Sequence, residues 1–342
     1  MADKIKWGIL GAGNIAHAFA QALPMSKSGE LAGVASRSIE KAKKFLEPYR
    51  CGRAFASYDE MLADRSIDAV YIATPHPMHK EWSIKAAQQG KHILCEKPIA
   101  VNDKDAKEMA EVARENDVFL MEAFMYLFSE QVSVCCDLVR QKAIGELRLI
   151  KASFGFKGRY DLEGRLLNHA LAGGGIMDVG CYPISMSRLL AGVATGLPYA
   201  EPLSLKGVAH IGEASQCDEW ATATMEFQGG VLAQCSAAIQ LELDNEVVLY
   251  GSEGKLRIPN PWLVAGKDGG ETEIVLETDG KSEYIRIMNA PLYVPEIDAM
   301  AEGIHTRKVK WPGMNIDATL GNMKTLDMWR EEISLVYPQD KI

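Results

Sequence analysis

The sequence predicts an α/β fold in two parts: a doubly wound parallel sheet over residues 1–122, then an α+β domain over residues 123–342 built on a large open, mainly antiparallel sheet. Three observations predict it. Short apolar runs alternate with helix-period segments through about residue 120. A glycine-rich turn follows the first of those runs. Beyond Gly145, strand-like segments succeed one another with few helices between them.

The first run is Ile5 to Leu10, and the spacing then predicts a helix over Ile15 to Leu23, stopped by Pro24, which has no amide hydrogen to donate. A second run, Leu31 to Ala35, and a helix over Ile39 to Leu46 follow. Asp68-Ala69-Val70-Tyr71-Ile72-Ala73 is almost wholly apolar, as a strand covered on both faces must be. A helix over 80–89, a strand over 92–95, a helix over 103–115 and a strand over 118–121 complete the first half, a Rossmann layout.

In the second half, strands are predicted at Leu149 to Phe156, Trp220 to Phe227, Val231 to Leu243, Glu246 to Tyr250, Lys255 to Ile258, Glu273 to Glu277 and Glu283 to Ile287. Phe227-Gln228-Gly229-Gly230-Val231 has the glycines a hairpin turn demands. Helices over Glu296 to Gly303 and Ala318 to Val336 come last, the latter expected to pack back on the first domain. An open sheet leaves a face that a second copy can cover, so a homodimer through the C-terminal sheet is expected.

Composition narrows the function classes. With 47% apolar and 24% charged residues the chain is of ordinary globular type, and a net charge of −9 without a Lys or Arg block argues against a nucleic-acid or membrane partner. No apolar run approaches the roughly 18 residues of a spanning helix. Met1-Ala2-Asp3-Lys4-Ile5-Lys6 leads into a strand pattern rather than a secretory leader. Seven cysteines without a Cys-x-x-Cys pair fit reduced, structural thiols, and a cytoplasmic protein is expected.

Gly11-Ala12-Gly13-Asn14-Ile15-Ala16 satisfies Gly-x-Gly-x-x-Gly/Ala between a strand and a helix. The first glycine allows the tight turn, the second lets backbone approach a pyrophosphate, and the small sixth residue lets helix and strand pack closely. Gly11, Gly13, Asn14 and Ile15 are therefore cofactor-binding candidates. At the end of the second strand an acid would grip a ribose 2′-hydroxyl, but the sequence there reads Ser36-Arg37-Ser38. Glu30 precedes the run and would point away. A guanidinium and hydroxyls suit a 2′-phosphate, so Ser36 and Arg37 favour NADP over NAD, with NAD still possible. The plainer reading of Arg37 is a solvated helix-start residue.

Two segments fall at the carboxyl ends of later strands, where an open α/β sheet binds its ligand. Thr74-Pro75-His76-Pro77-Met78-His79 offers Thr74, His76 and His79 to the cofactor; a third ligand for a metal pair is not evident. Glu96-Lys97-Pro98 offers Glu96 and Lys97, the lysine presenting a positive donor to a substrate oxygen. Further on, Gly173-Gly174-Gly175-Ile176-Met177-Asp178-Val179-Gly180-Cys181-Tyr182 sets Asp178 and Tyr182 four residues apart, on one face of a helix that Pro183 could kink. An ammonium such as that of Lys97 beside Tyr182 would favour its phenolate and suit it to proton transfer. Alone, Tyr182 could equally be a core tyrosine. Tyr337-Pro338-Gln339-Asp340-Lys341 has a Tyr-x-x-x-Lys spacing, but Pro338 argues against the helix that motif needs.

Taken in order, these motifs resemble the glucose-fructose oxidoreductase / inositol dehydrogenase / MocA family over nearly the whole chain. Within it the sequence is most similar to the dimeric dihydrodiol dehydrogenase and NADP-dependent D-xylose dehydrogenase branch, which has tyrosine where many relatives have histidine. Leu120-Met121-Glu122-Ala123-Phe124-Met125 and the Tyr337 to Lys341 segment share that likeness. The resemblance implies Lys97 as a contact to the substrate oxygen, Tyr182 as acid/base, Asp178 as an orienting or proton-path residue, and Arg165 and Asn168 as pocket residues. Leu127 departs from the family, whose members commonly carry arginine there.

The expectation is an NADP-dependent oxidoreductase moving hydride between nicotinamide and a carbinol or carbonyl carbon of a sugar, polyol or cyclic diol. Two alternatives are a catalytically silent NADP-binding sensor and a dehydrogenase of the same fold acting on an amino- or nucleotide-linked sugar.

Overall fold

The computed structural model describes residues 4–341. The expectation for Met1-Ala2-Asp3 lies outside them. The first half runs β1 (Ile5–Leu10), α1 (Asn14–Ala22), β2 (Gly29–Ala35), α2 (Ile39–Leu46), β3 (Arg53–Phe55), α3 (Tyr58–Leu62), β4 (Ala69–Ile72), α4 (His79–Gln88), β5 (His92–Glu96), α5 (Asp103–Glu115) and β6 (Leu120–Ala123). The strands are parallel in the order β3-β2-β1-β4-β5-β6. The order reverses between β1 and β4, which opens a crevice above their carboxyl ends. β4 is buried along its whole length, as its apolar run required.

Short elements escaped the sequence: β3 and α3 are three and five residues long, too brief for a period to show. β2 starts earlier than expected, so Glu30 lies within it, pairs with Lys6 and is exposed far from the carboxyl edge. β6 is shifted two residues on because Val118 is spent closing α5, its amide donating to Ala113 O at 3.0 Å; the strand ends at Ala123, one residue past the boundary drawn from sequence.

The second half runs α6 (Glu130–Arg140), β7 (Leu147–Gly155), α7 (Cys181–Thr195), β8 (Pro202–Ile211), β9 (Asp218–Phe227), β10 (Leu232–Ala238), β11 (Glu246–Gly251), β12 (Gly254–Pro259), β13 (Gly270–Thr278), β14 (Lys281–Asn289), α8 (Val294–Thr306) and α9 (Ile316–Glu332). Its eight strands lie in the order β14-β13-β12-β11-β7-β10-β9-β8, antiparallel except for the β7–β10 pair. The β9–β10 turn uses Gly229 and Gly230 at φ +83° and +79°. β10 stops at Ala238, five residues short of the expected end. β8 was not foreseen, since Pro202 and Gly207 interrupt its alternation.

α7 is buried from Cys181 to Val193 and packs against β7 and β10, so one face of this sheet is inner. The other face leaves Leu203, Val208, Trp220 and Leu232 exposed. α8 and α9 return to the first half: Ser28 Oγ donates to Asp298 at 2.5 Å and the Asp103 amide to Asp327 at 2.8 Å. α9 ends at Glu332 rather than 336 because Ser334 takes a left-handed φ of +54° and the Leu335 amide closes back on Arg330 O, a Schellman end.

Candidate active site

β1 runs into Gly11, whose φ is +102°; a β-carbon there would stand 2.8 Å from Ala73 O. Gly13 is the extended cap of α1, and a β-carbon on it would meet nothing within 4 Å. Asn14 and Ile15 are exposed and the first turn of α1 carries no acid, so the helix terminus presents its amides to open space. Ala16 is fully buried, which lets α1 sit close on the sheet. At the end of β2, Ser36 is buried and Arg37 exposed, and among the described residues Arg37 makes no ion pair. The Ser38 hydroxyl is engaged in capping α2, accepting from the Lys41 amide at 3.4 Å and donating to Glu40 at 2.6 Å.

Beyond β4, Thr74 is buried and its Oγ1 has no hydrogen-bond partner in the protein, a cost that a ligand group could remove. Beyond β5, Lys97 Nζ donates to the main-chain carbonyl of Asp178 at 2.6 Å, stands 3.6 Å from Asp178 Oδ1 and lies 5.0 Å from the centre of the Tyr182 ring. Arg165 Nη1 donates to the same carboxylate at 2.6 Å. Burial alone would push the Asp178 carboxyl up, but Lys97 and Arg165 outweigh it and hold the group well below the usual carboxylate range. His76 faces the same cluster, and burial, His79 and Lys97 push its pKa well down, which keeps the ring neutral.

Asp178 and Tyr182 are brought together by a π-helical turn, Ile176–Gly180, that feeds α7. Pro183 has no amide hydrogen, so it cannot close a π-type bond on the carbonyl five residues back, that of Asp178. That oxygen takes the Lys97 ammonium instead. Phe124, Tyr126, Phe154 and Trp262 surround Tyr182, with ring centres 5.2–5.9 Å away, and its hydroxyl points to Met125 Sδ at 3.7 Å. The expectation that Lys97 lowers this phenol is corrected here. The ammonium lies against the ring rather than the hydroxyl, and burial pushes the phenol well above its ordinary value.

Two other candidates sit differently from expectation. His79 is fully buried with Nδ1 3.0 Å from Pro98 O and Nε2 2.8 Å from Thr74 O, so it pins two loops together and does not line the crevice. Glu96 is buried, accepts from the Tyr71 hydroxyl and is raised by that burial; it too is turned inward. Asn168 caps a short 3₁₀ turn, accepting from the Ala170 amide at 3.0 Å. Leu127, at the family's arginine position, is fully buried.

Phe154 and Trp262 are not singled out by the sequence, and Met125 enters it only within the Leu120 to Met125 segment, not as a neighbour of Tyr182. Single aromatic and sulfur side chains carry no spacing signal, and only the fold places them around Tyr182. Phe154 and Trp262 stack at 5.8 Å and also line a cavity of about 490 Å³ with Asn245, Asn260, Glu271 and Glu273.

With this geometry in view, comparison with known proteins is direct. Residues 5–124 match the oxidoreductase family with NAD-binding Rossmann fold, and residues 133–257 match the GFO/IDH/MocA C-terminal domain. The chain is 34% identical over 257 residues to trans-1,2-dihydrobenzene-1,2-diol dehydrogenase of Xenopus tropicalis, covering 75% of each. It is 28% identical to the Mus musculus protein of that name over 98% of this chain and 99% of the other. Among solved structures it is similar to KijD10, a 3-ketoreductase from Actinomadura kijaniata in complex with NADP and TDP-benzene, with a TM-score of 0.88 and 25% identity over 97% of this chain and 98% of that one. The chain belongs to the GFO/IDH/MocA family of oxidoreductases.

Proposed function

We propose that this protein is an NADP-dependent dehydrogenase or reductase that interconverts an alcohol and a carbonyl on a sugar, polyol or cyclic diol, with Tyr182 as the acid/base. The observation that carries the reading is the Lys97 ammonium, which joins Asp178 and the Tyr182 ring at one point of the crevice.

The open space at Gly13, the acid-free start of α1, the orphaned Thr74 hydroxyl and the unpaired Arg37 fit a dinucleotide. Gly11, Gly13, Asn14 and Ile15 would hold its pyrophosphate, Ser36 and Arg37 its 2′-phosphate, and Thr74 and His76 the part nearer the chemistry. NAD could enter the same site without the Arg37 contact. When bound, the nicotinamide exchanges the hydride. Lys97 presents its ammonium to the substrate oxygen and Asp178, kept ionised, holds that ammonium in place. Tyr182, protonated at neutral pH, gives its proton to the carbonyl oxygen in reduction and takes it back in oxidation. The aromatic rings of Phe154 and Trp262 suit the apolar faces of a cyclic diol or sugar, and Arg165 supplies a donor at the rim.

The reading includes a nucleotide half over 1–122 and a substrate half over 123–342, with the crevice between the two sheets. It also includes a homodimer through the outer face of the second sheet, supported by its exposed Leu203, Val208 and Leu232; a monomer mass by light scattering at micromolar concentration would set the dimer aside. Seven free thiols, six of them buried, support a reducing, cytoplasmic setting.

The test is a panel of sugars, polyols and cyclic diols, including trans-1,2-dihydrobenzene-1,2-diol, offered with NADP(H) and with NAD(H) and followed at the reduced-nicotinamide absorbance band. Turnover of a panel member supports the reading. Cofactor binding with no turnover of any of them overturns it.

A further inference from the structure

The triple-glycine segment ahead of Asp178 is held from two sides by residues that no part of the proposed chemistry uses. From β9, Asp218 is fully buried and its Oδ2 accepts from the Ile176 amide at 2.6 Å. A β-carbon on Gly174, at φ +130°, would overlap Asp218 Oδ1, and one on Gly175 would stand 3.4 Å from Oδ2. The glycines are thus the space into which this carboxylate fits. From the segment beyond α9, the buried Tyr337 hydroxyl donates to Gly173 O at 2.6 Å.

That same segment grips more of the loop and reaches the other half of the crevice. His169 Nε2 lies 3.0 Å from Val336 O, and Gln339 Nε2 donates to Ala170 O at 2.9 Å. Asp340 accepts from the Tyr337 amide at 2.8 Å, from Arg330 at 2.7 Å and from Asn102 Nδ2 at 2.9 Å. Asn102 caps α5, five residues after Lys97, with its Oδ1 accepting from the Asp105 amide. The connections close a circuit: Lys97, along the chain to Asn102, across to Asp340 and Tyr337, on to Gly173, and through the π turn to Asp178, which returns to Lys97.

We propose that Asp218 and Tyr337 are positioning residues, a brace that sets the π turn bearing Asp178 and Tyr182 against Lys97. This rests on the reading that Asp178 and Tyr182 belong to the reaction machinery. The physical ground is that a π turn is a poor intrinsic structure that persists where its surroundings fix it, and that misplacing a reacting group by about 1 Å can cost on the order of 10² in rate.

The variants Tyr337→Phe and Asp218→Asn keep shape and remove one hydroxyl or exchange one carboxyl oxygen for an amide nitrogen. In the full-length protein we expect amide exchange over residues 173–182 to accelerate about tenfold, exchange in α1 to be unchanged, and the Kd for NADP to stay within about twofold. With trans-1,2-dihydrobenzene-1,2-diol as probe, or whichever panel member turns over, kcat should fall about tenfold while KM stays within about threefold. Tyr337→Phe alone decides the matter if Asp218→Asn does not fold. Unchanged exchange over 173–182 overturns the brace. So does an unchanged kcat in Tyr337→Phe when Tyr182→Phe is inactive. If Tyr182→Phe is fully active while exchange accelerates in Tyr337→Phe, the brace of the turn stands and it is the acid/base reading that fails.

Discussion

Lys97 grips Asp178 twice, through a 2.6 Å hydrogen bond to its main-chain carbonyl and a 3.6 Å approach to its carboxylate. One ammonium thereby orders both the side chain and the backbone of the turn that carries Tyr182. Lys97→Met should therefore do more than delete a charge near the substrate. It frees the Asp178 carbonyl and leaves Arg165 as the cation hydrogen-bonded to that carboxylate. We expect kcat/KM to fall about 10³-fold, with NADP affinity, read by fluorescence titration, changed much less. A loss below about tenfold would mean that the substrate oxygen lies elsewhere.

Tyr182→Phe removes one oxygen from a ring that four aromatic neighbours hold in place. The fold should tolerate the change, and kcat should drop about 10²-fold or more if the phenol transfers the proton. Near-normal turnover in steady-state assays would return Tyr182 to the core.

Arg37 is exposed just beyond β2, whose last residue, Ala35, accepts from the Gly11 amide of the glycine turn at 3.1 Å. Arg37→Asp replaces a donor for a 2′-phosphate with a charge that repels it and suits a ribose hydroxyl. The Kd for NADP should rise by about 10² or more and that for NAD should hold or fall. Equal changes for the two cofactors, measured by calorimetry, would remove Arg37 from cofactor choice.

Stability should depend on pH in an unusual sense. Burial raises the Glu122 carboxyl to about 8 and that of Asp218 to about 7. An acid whose folded pKa lies above its unfolded value keeps its proton in the native state after the unfolded chain has lost it. The contribution of these two groups to stability is then greatest below the ordinary carboxyl range and declines as pH rises to the raised value. Thermal melts should show Tm falling between pH about 5 and about 8, and Glu122→Gln should flatten that slope. A Tm that climbs over the same interval would mean that these two groups do not set the dependence.

Much of the fold is legible in the sequence. The glycine turn, the longer strands and helices of the first half and the four-residue spacing of Asp178 and Tyr182 are written in local periodicity and short motifs. What was hidden depends on contacts between distant segments. His79 shows no sign in sequence that both its ring nitrogens will be taken by Thr74 and Pro98 carbonyls, and Glu96 none that it will turn toward Tyr71. The helix expected around Asp178 and Tyr182 is a π turn leading into α7, with Asp218 fitted against Gly174 and accepting from the Ile176 amide, and with Pro183 unable to carry the π bonding further. Lys97 was placed beside Tyr182, but which part of the ring it would face depended on where the Asp178 carbonyl points.

The return of α8 and α9 to the first sheet limits how the polypeptide can be divided. Ile297 fills the space over Gly29, Asp298 takes the Ser26 and Ser28 hydroxyls, and Asp327 takes the amide that opens α5. A fragment excised at residue 122 would bare the apolar surface that Ile297 covers and exchange those hydrogen bonds for water, so the nucleotide half should not survive as an autonomous unit. Both halves should unravel in a single cooperative transition.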